Sequence, residues 1–125
     1  MLLKTTKILS SLPIAFAGIL GIMSPPAQAA YCSSASHYGY GDGYHGQTTA
    51  NGERFNTYGN TTAHRSLPFG TRLKVTNQSN GKSVIVRVND RGPYISGRAL
   101  DLSYGAFSKI ASPSQGVVDI CYSRV

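Results

Sequence analysis

The sequence predicts a mainly β fold, a small closed barrel of six or so short strands with one short helix. Three observations carry this reading. Apolar and polar residues alternate through residues 71–77 (TRLKVTN) and again from Ser83 to Asn89, the period of a half-buried strand. Asn80-Gly81 lies between those stretches, a strong hairpin signal. Residues 104–111 (YGAFSKIA) form the one plausible helix. The connections between strands differ widely in length, which suits a closed barrel better than a sandwich.

The chain has 125 residues, and its start reads as a leader. Lys4 and Lys7 precede an almost wholly apolar run from Ile8 to Met23, and Pro25-Pro26-Ala27-Gln28-Ala29 ends in an Ala-x-Ala cleavage pattern. This predicts a secretory signal peptide over residues 1–29. The run is too short, and too interrupted by Ser10, Ser11 and Pro13, for a membrane span. Tyr31 and Ala29 occupy the places where a lipobox needs a small and an aliphatic residue before Cys32. Cys32 is therefore expected to stay unlipidated, with no membrane anchor after cleavage. Residues 30–125 then make one compact domain, expected to be a monomer in the periplasm, cell wall or medium.

Export also bears on the two cysteines. Cys32 and Cys121 lie near either end of the mature domain, and an oxidising compartment favours joining them. The bond would close a loop of nearly ninety residues, contributing up to about 4–5 kcal/mol in the chain-entropy picture. Without Lys4 and Lys7, ten basic residues face five acidic ones, a net charge of +5. Such a charge suits a polyanionic partner such as a wall polymer. Nucleic acid is disfavoured by the export signal and by the lack of a compact Lys/Arg run or helix-turn-helix.

Taken in order, Tyr31 to Tyr38 reads as the first strand. Residues 39–46 (GYGDGYHG) hold four glycines and three aromatic rings. Such a loop either offers its rings to sugar faces or is a flexible surface segment. Asn51-Gly52 makes a turn that places Glu53, and Thr61 to His64 leads into a turn-like link at Leu67-Pro68-Phe69-Gly70. Val84, Val86 and Val88 then alternate up to the polar turn Asn89-Asp90-Arg91-Gly92-Pro93. A second apolar-flanked carboxylate follows in Ala99-Leu100-Asp101-Leu102-Ser103. Ser103 can cap the helix, whose buried face is Ala106, Phe107 and Ile110. Ser112-Pro113 ends it, and residues 116–123 form the last strand.

Several of these segments together resemble a known family. Thr49-Ala50-Asn51-Gly52-Glu53, residues 62–71 (TAHRSLPFGT), Val75-Thr76-Asn77, Asn80-Gly81-Lys82-Ser83, residues 86–93 (VRVNDRGP) and residues 98–103 (RALDLS) occur in that order. The set closely resembles the rare lipoprotein A family and covers nearly all of the mature chain. The resemblance implies a six-stranded double-psi β-barrel and lytic transglycosylase activity on peptidoglycan glycan strands, notably strands stripped of stem peptides. The same fold in expansins and barwin-like proteins implies an alternative, a non-catalytic wall-glycan-binding or wall-loosening module. The chain departs from the family in lacking a lipobox and a sporulation-related repeat domain, and in its cysteine pair.

A lytic transglycosylase protonates the glycosidic oxygen and then deprotonates the C6 hydroxyl of the same muramyl sugar, closing a 1,6-anhydro ring. One carboxyl group can do both, unlike the paired carboxylates of ordinary glycosidases, if burial or a second carboxylate raises its pKa. The resemblance places Asp90, Asp101, Glu53 and His64 in the active groove as the catalytic set. Read structurally, Asp90 would bond the backbone of Gly92, and Asp101 would pair with Arg98 or Arg91. Asn89 and Arg91 are expected to bind substrate, Arg91 through the lactyl carboxylate, with Tyr38 and Tyr94 lining the groove. No metal or cofactor is expected. His37, His45 and His64 are scattered, the glycines at 39, 41 and 43 precede no helix, and no nucleophile elbow accompanies the serines.

Overall fold

The computed structural model describes residues 29–125. The leader read over residues 1–29 falls, all but Ala29, outside the described residues. The elements are β1 (Tyr31–Tyr38), β2 (Thr61–Ala63), β3 (Arg72–Asn77), β4 (Ser83–Asp90), β5 (Arg98–Ser103), α1 (Tyr104–Ser108) and β6 (Val117–Arg124), with a 3-10 turn at Pro113–Gln115 before β6. The strands close into a barrel in the order β1-β5-β2-β4-β3-β6. Two pairs, β1 with β5 and β2 with β4, are parallel, and the other four are antiparallel. This is the double-psi arrangement.

The core follows from alternation. Leu73 and Val75 of β3, Val84, Val86 and Val88 of β4, Leu100 and Leu102 of β5, and Val118 and Ile120 of β6 are all buried in one cluster. Every second strand residue points into the barrel. Phe107 and Ile110, both fully buried, bring α1 and the turn after it onto the same cluster. Ser103 caps α1 as expected, its Oγ accepting from the Ala106 N–H at 3.3 Å. The same hydroxyl donates to the Gly59 carbonyl at 2.6 Å, which ties the start of the helix to the chain entering β2.

The β3–β4 hairpin forms where Asn80-Gly81 predicts it, with Gly81 at φ 74°. That positive φ is the reason for glycine there. Cys32 and Cys121 face each other across β1 and β6 and are disulfide-bonded, with Cα atoms 4.0 Å apart. The bond therefore joins the first and last strands where the barrel closes. The element that local reading did not recognise is β2. It is only three residues long, and it is a strand because β4 and β5 pair with it on either side.

Two one-residue irregularities shape the barrel wall. Thr62 pairs with Val88 and Ala63 with Asp90, so Asn89 is the extra residue in β4. Ser34 pairs with Arg98 and Ala35 with Leu100, so Ala99 is the extra residue in β5. Bulges of this kind change which side chain faces which side. Without the first one, Asn89 rather than Asp90 would stand opposite Ala63.

Candidate active site

Asp101 lies between the fully buried Leu100 and Leu102, so its side chain points outward from the barrel wall. Ala63 pairs with Asp101 on one side and with Asp90 on the other. The two carboxylates thus flank one small residue on the outer surface, two strand spacings or about 9–10 Å apart at the backbone. Tyr38, Tyr44, Ala63, Asp90, Arg91 and Asp101 line an open groove of about 240 Å3 there. Ala63 forms its floor, where a longer side chain would fill it.

The two aspartates are held differently. Among the described residues, Asp90 is met only by donors. Oδ1 accepts from the N–H groups of Ala50 and Arg91, both at 3.0 Å, and Oδ2 accepts from the Tyr38 hydroxyl at 2.8 Å. The turn bond runs to Arg91, not to Gly92 as the local reading had it. Burial raises the Tyr38 phenol, helped by its bond to Asp90, so it stays protonated and donating. Asp101 accepts one short contact, from Ser36 Oγ at 3.0 Å, and among the described residues it forms no ion pair with Arg98 or Arg91. Burial pushes its pKa above the ordinary carboxylate value, and the Ser36 bond opposes that only in part.

Glu53 and His64 are not among the residues that line this groove. Both Glu53 oxygens are engaged. Arg87 grips them at 2.8 and 2.9 Å, and Asn89 Nδ2 and Asn51 Nδ2 add bonds at 2.7 and 3.2 Å. The Arg87 guanidinium holds the Glu53 carboxyl down to about 2, so it is ionised and has no proton to give. His64 Nδ1 accepts from the N–H groups of Ser66 and Leu67 at 3.0 and 2.9 Å. Its proton therefore sits on Nε2, which faces the Tyr122 hydroxyl at 3.1 Å. Burial, then the charges of Arg65, Arg91 and Arg124, lower its pKa and keep it neutral.

The expected binding residues divide in the same way. Arg91 borders the groove, with its guanidinium stacked 3.9 Å over Phe69 and donating to the carbonyls of His64 and Leu67. Tyr38 lies in the groove wall. Asn89 is 1% exposed, its amide donates to Glu53, and as the extra residue of the bulge it is not part of the groove lining. Tyr94 is 78% exposed and lies outside the groove lining. Local reading missed Ser36, Ala50 and Ala63, whose roles depend on pairing between distant strands. Tyr44 was visible only as one ring of a glycine-rich loop.

The fold and groove together define a small double-psi barrel with a carboxylate pair on its outer wall. A family profile described as "Lytic transglycolase" matches residues 30–122, and the chain belongs to that family. A probable endolytic peptidoglycan transglycosylase RlpA from Synechocystis is 60% identical over 86 residues, 69% of this chain. Its counterpart from Nostoc is 48% identical over 114 residues, 91% of this chain. The chain spans 27% of each of these relatives. Among solved structures, a Clavibacter michiganensis expansin mutant in complex with cellohexaose is 25% identical at a TM-score of 0.63, over 78% of this chain and 50% of that one. A Streptomyces papain inhibitor shares the fold at 22% identity and a TM-score of 0.63, over 82% of this chain and 99% of that one.

Proposed function

We propose that this domain is the catalytic part of an endolytic peptidoglycan transglycosylase. It cleaves glycan strands, preferentially peptide-free ones, between muramyl and glucosaminyl sugars and leaves 1,6-anhydromuramic ends. The observation that carries this reading is Asp101, a carboxyl raised by burial and, among the described residues, in no ion pair, in an open groove beside a second, donor-held aspartate. The names of the transglycosylase relatives support the substrate class. The expansin bound to cellohexaose supports a glycan on a related barrel.

In this reading Asp101 gives its proton to the glycosidic oxygen as the C1–O bond breaks. Its carboxylate then takes the proton of the C6 hydroxyl while that oxygen bonds to C1, and the acid is restored without a water being consumed. Because the nucleophile belongs to the substrate, the site need only orient it. Asp90, fixed by Ala50, Arg91 and Tyr38, faces the positive charge that develops at C1. Arg91 supplies charge at the groove edge for the lactyl carboxylate. Glu53 and Asn89 act at one remove. They clamp the 49–53 turn onto β4, and that turn delivers the Ala50 N–H to Asp90. The protein acts as a monomer in the periplasm or cell wall.

The test is mass spectrometry of intact and peptide-free peptidoglycan after incubation with residues 30–125. Products ending in 1,6-anhydromuramic acid are expected, more from the peptide-free strands. Reducing ends would instead make the groove hydrolytic. Binding to glycan with no release would make the domain a wall-binding module of the expansin kind.

A further inference from the structure

Beyond the groove, two exposed tyrosines and a half-buried third form a surface cluster that nothing in the catalytic reading uses. The Tyr40 ring stacks on Tyr104 with centroids 4.4 Å apart and planes 18° apart. Tyr58 meets Tyr104 edge-on at 6.4 Å and 86°. Tyr40 is 61% exposed and Tyr58 65% exposed. Tyr104 backs one face of Tyr40, which leaves the other face open.

We propose that Tyr40, Tyr58 and Tyr104 are a distal glycan subsite, which binds a neutral pyranose ring of the strand beyond the point of cleavage. This rests on the reading that the groove takes a glycan strand. Three features of the surface support it.

The first is continuity with the groove. The loop that carries Tyr40 also carries Tyr44, which lines the groove and meets the edge of Tyr38 at 5.6 Å. Tyr104 meets His37 edge-on at 5.8 Å, next to Tyr38 of the groove wall. A strand that leaves the groove past Tyr44 meets Tyr40 on the same loop.

The second is rigidity. A Cβ on Gly105 would sit 2.7 Å from the backbone of Tyr58, so glycine lets that backbone press against α1. The Gly105 N–H donates to the Thr57 carbonyl at 2.8 Å, and Thr57 Oγ1 donates to the Gly39 carbonyl at 2.6 Å. Asp42 accepts from the N–H groups of Gly39 and Tyr44 at 2.7 and 3.1 Å. The rings are thus set before a ligand arrives, and binding orders little.

The third is chemistry. A tyrosine has an apolar face and a hydrogen-bonding tip, and a pyranose has a C–H face and a hydroxyl rim. The rings carry no charge, which suits the neutral glucosaminyl ring better than a peptide carboxylate.

Peptide-free glycan strands, prepared from peptidoglycan by amidase and sorted by length, are the probe. Binding to residues 30–125 is measured for the wild type and for Tyr40→Ala/Tyr58→Ala, both at low and at high salt. Long strands should bind the double variant about tenfold more weakly, and the deficit should persist in high salt, since stacking is not screened as surface charge is. Tyr40→Phe should bind like wild type, and a retained far-UV spectrum and melting temperature show that the variants fold. Unchanged affinity of the double variant, while wild type binds, overturns the subsite and leaves the transglycosylase reading standing, as it would if the cluster docks a protein. A deficit in binding without anhydro products keeps the subsite and removes the chemistry. No binding of any strand by the wild type defeats both.

Discussion

Asp101 and Glu53 are carboxylates on one small barrel, and they are held in opposite ways. Glu53 spends its charge within the protein. Arg87 grips both oxygens, Asn51 and Asn89 add bonds, and the ion is satisfied before any substrate arrives. Asp101 is half-buried on the outer face of β5, with one hydroxyl bonded to it. The first arrangement favours the ionised form and fastens a turn. The second disfavours it. The difference between them is not residue type or even proximity, but how many donors the fold directs at each group.

The sharpest way to break this contrast is Asp101→Asn. Turnover should fall by about a thousandfold, within the range for loss of a general acid, as measured by release of anhydromuramic ends. Stability should move the other way. The folded pKa of Asp101 lies above its unfolded value of 3.8, so the native state binds the extra proton and loses stability as pH rises through that window. The asparagine variant should therefore match wild type in acid and exceed it at neutral pH in a thermal melt. For the same reason kcat/KM of the wild type should fall as pH rises through the raised pKa. A flat profile, or an active Asp101→Asn, removes Asp101 as the acid.

Ala63→Leu tests the groove rather than the proton. A leucine between the two aspartates should block substrate and lower kcat/KM about a hundredfold, with both carboxylates intact. Glu53→Gln should be milder, a loss of about tenfold or less in turnover, through the Ala50 contact to Asp90. It should also change the acid limb of stability. Glu53 ionises at about 2 in the fold against 4.5 ordinarily, so its contribution is present above 4.5 and lost as pH falls towards 2. Wild type and variant should converge in urea melts over that range. Loss of turnover as complete as in Asp101→Asn would return Glu53 to the catalytic set. The smallest effect is expected from His64→Ala. It orphans the Ser66 and Leu67 N–H groups at a cost of about 1 kcal/mol, and should leave turnover within about threefold.

Most of the barrel was legible because its strands alternate. Val84, Val86 and Val88 declare a face without help from the rest of the chain, and so do Leu73 and Val75. Asn80-Gly81 declares its turn. Thr61–Ala63 could not be read in the same way, because three residues carry no period and the strand exists through its two partners. The aspartates were recognisable from their position at the ends of apolar runs. Their environments were not, since Ser36 reaches Asp101 across 65 residues of chain and Tyr38 reaches Asp90 across 52. The partners of Glu53, His64 and Asn89 were hidden on similar grounds. Each has nearer partners than the groove, and the extra residue that turns Asn89 away from Asp90 leaves no mark in the local pattern.

The disulfide has a consequence for how such a domain can be used. Cys32 and Cys121 pair next to Tyr31 and Tyr122, which also pair, so the polypeptide enters and leaves side by side. Tyr38 and the groove lie at the other end of β1, about 20 Å away. The barrel is a cassette clipped shut at its base. Sequence joined at either end arrives at the clip, and a longer protein can carry the cassette without covering the groove.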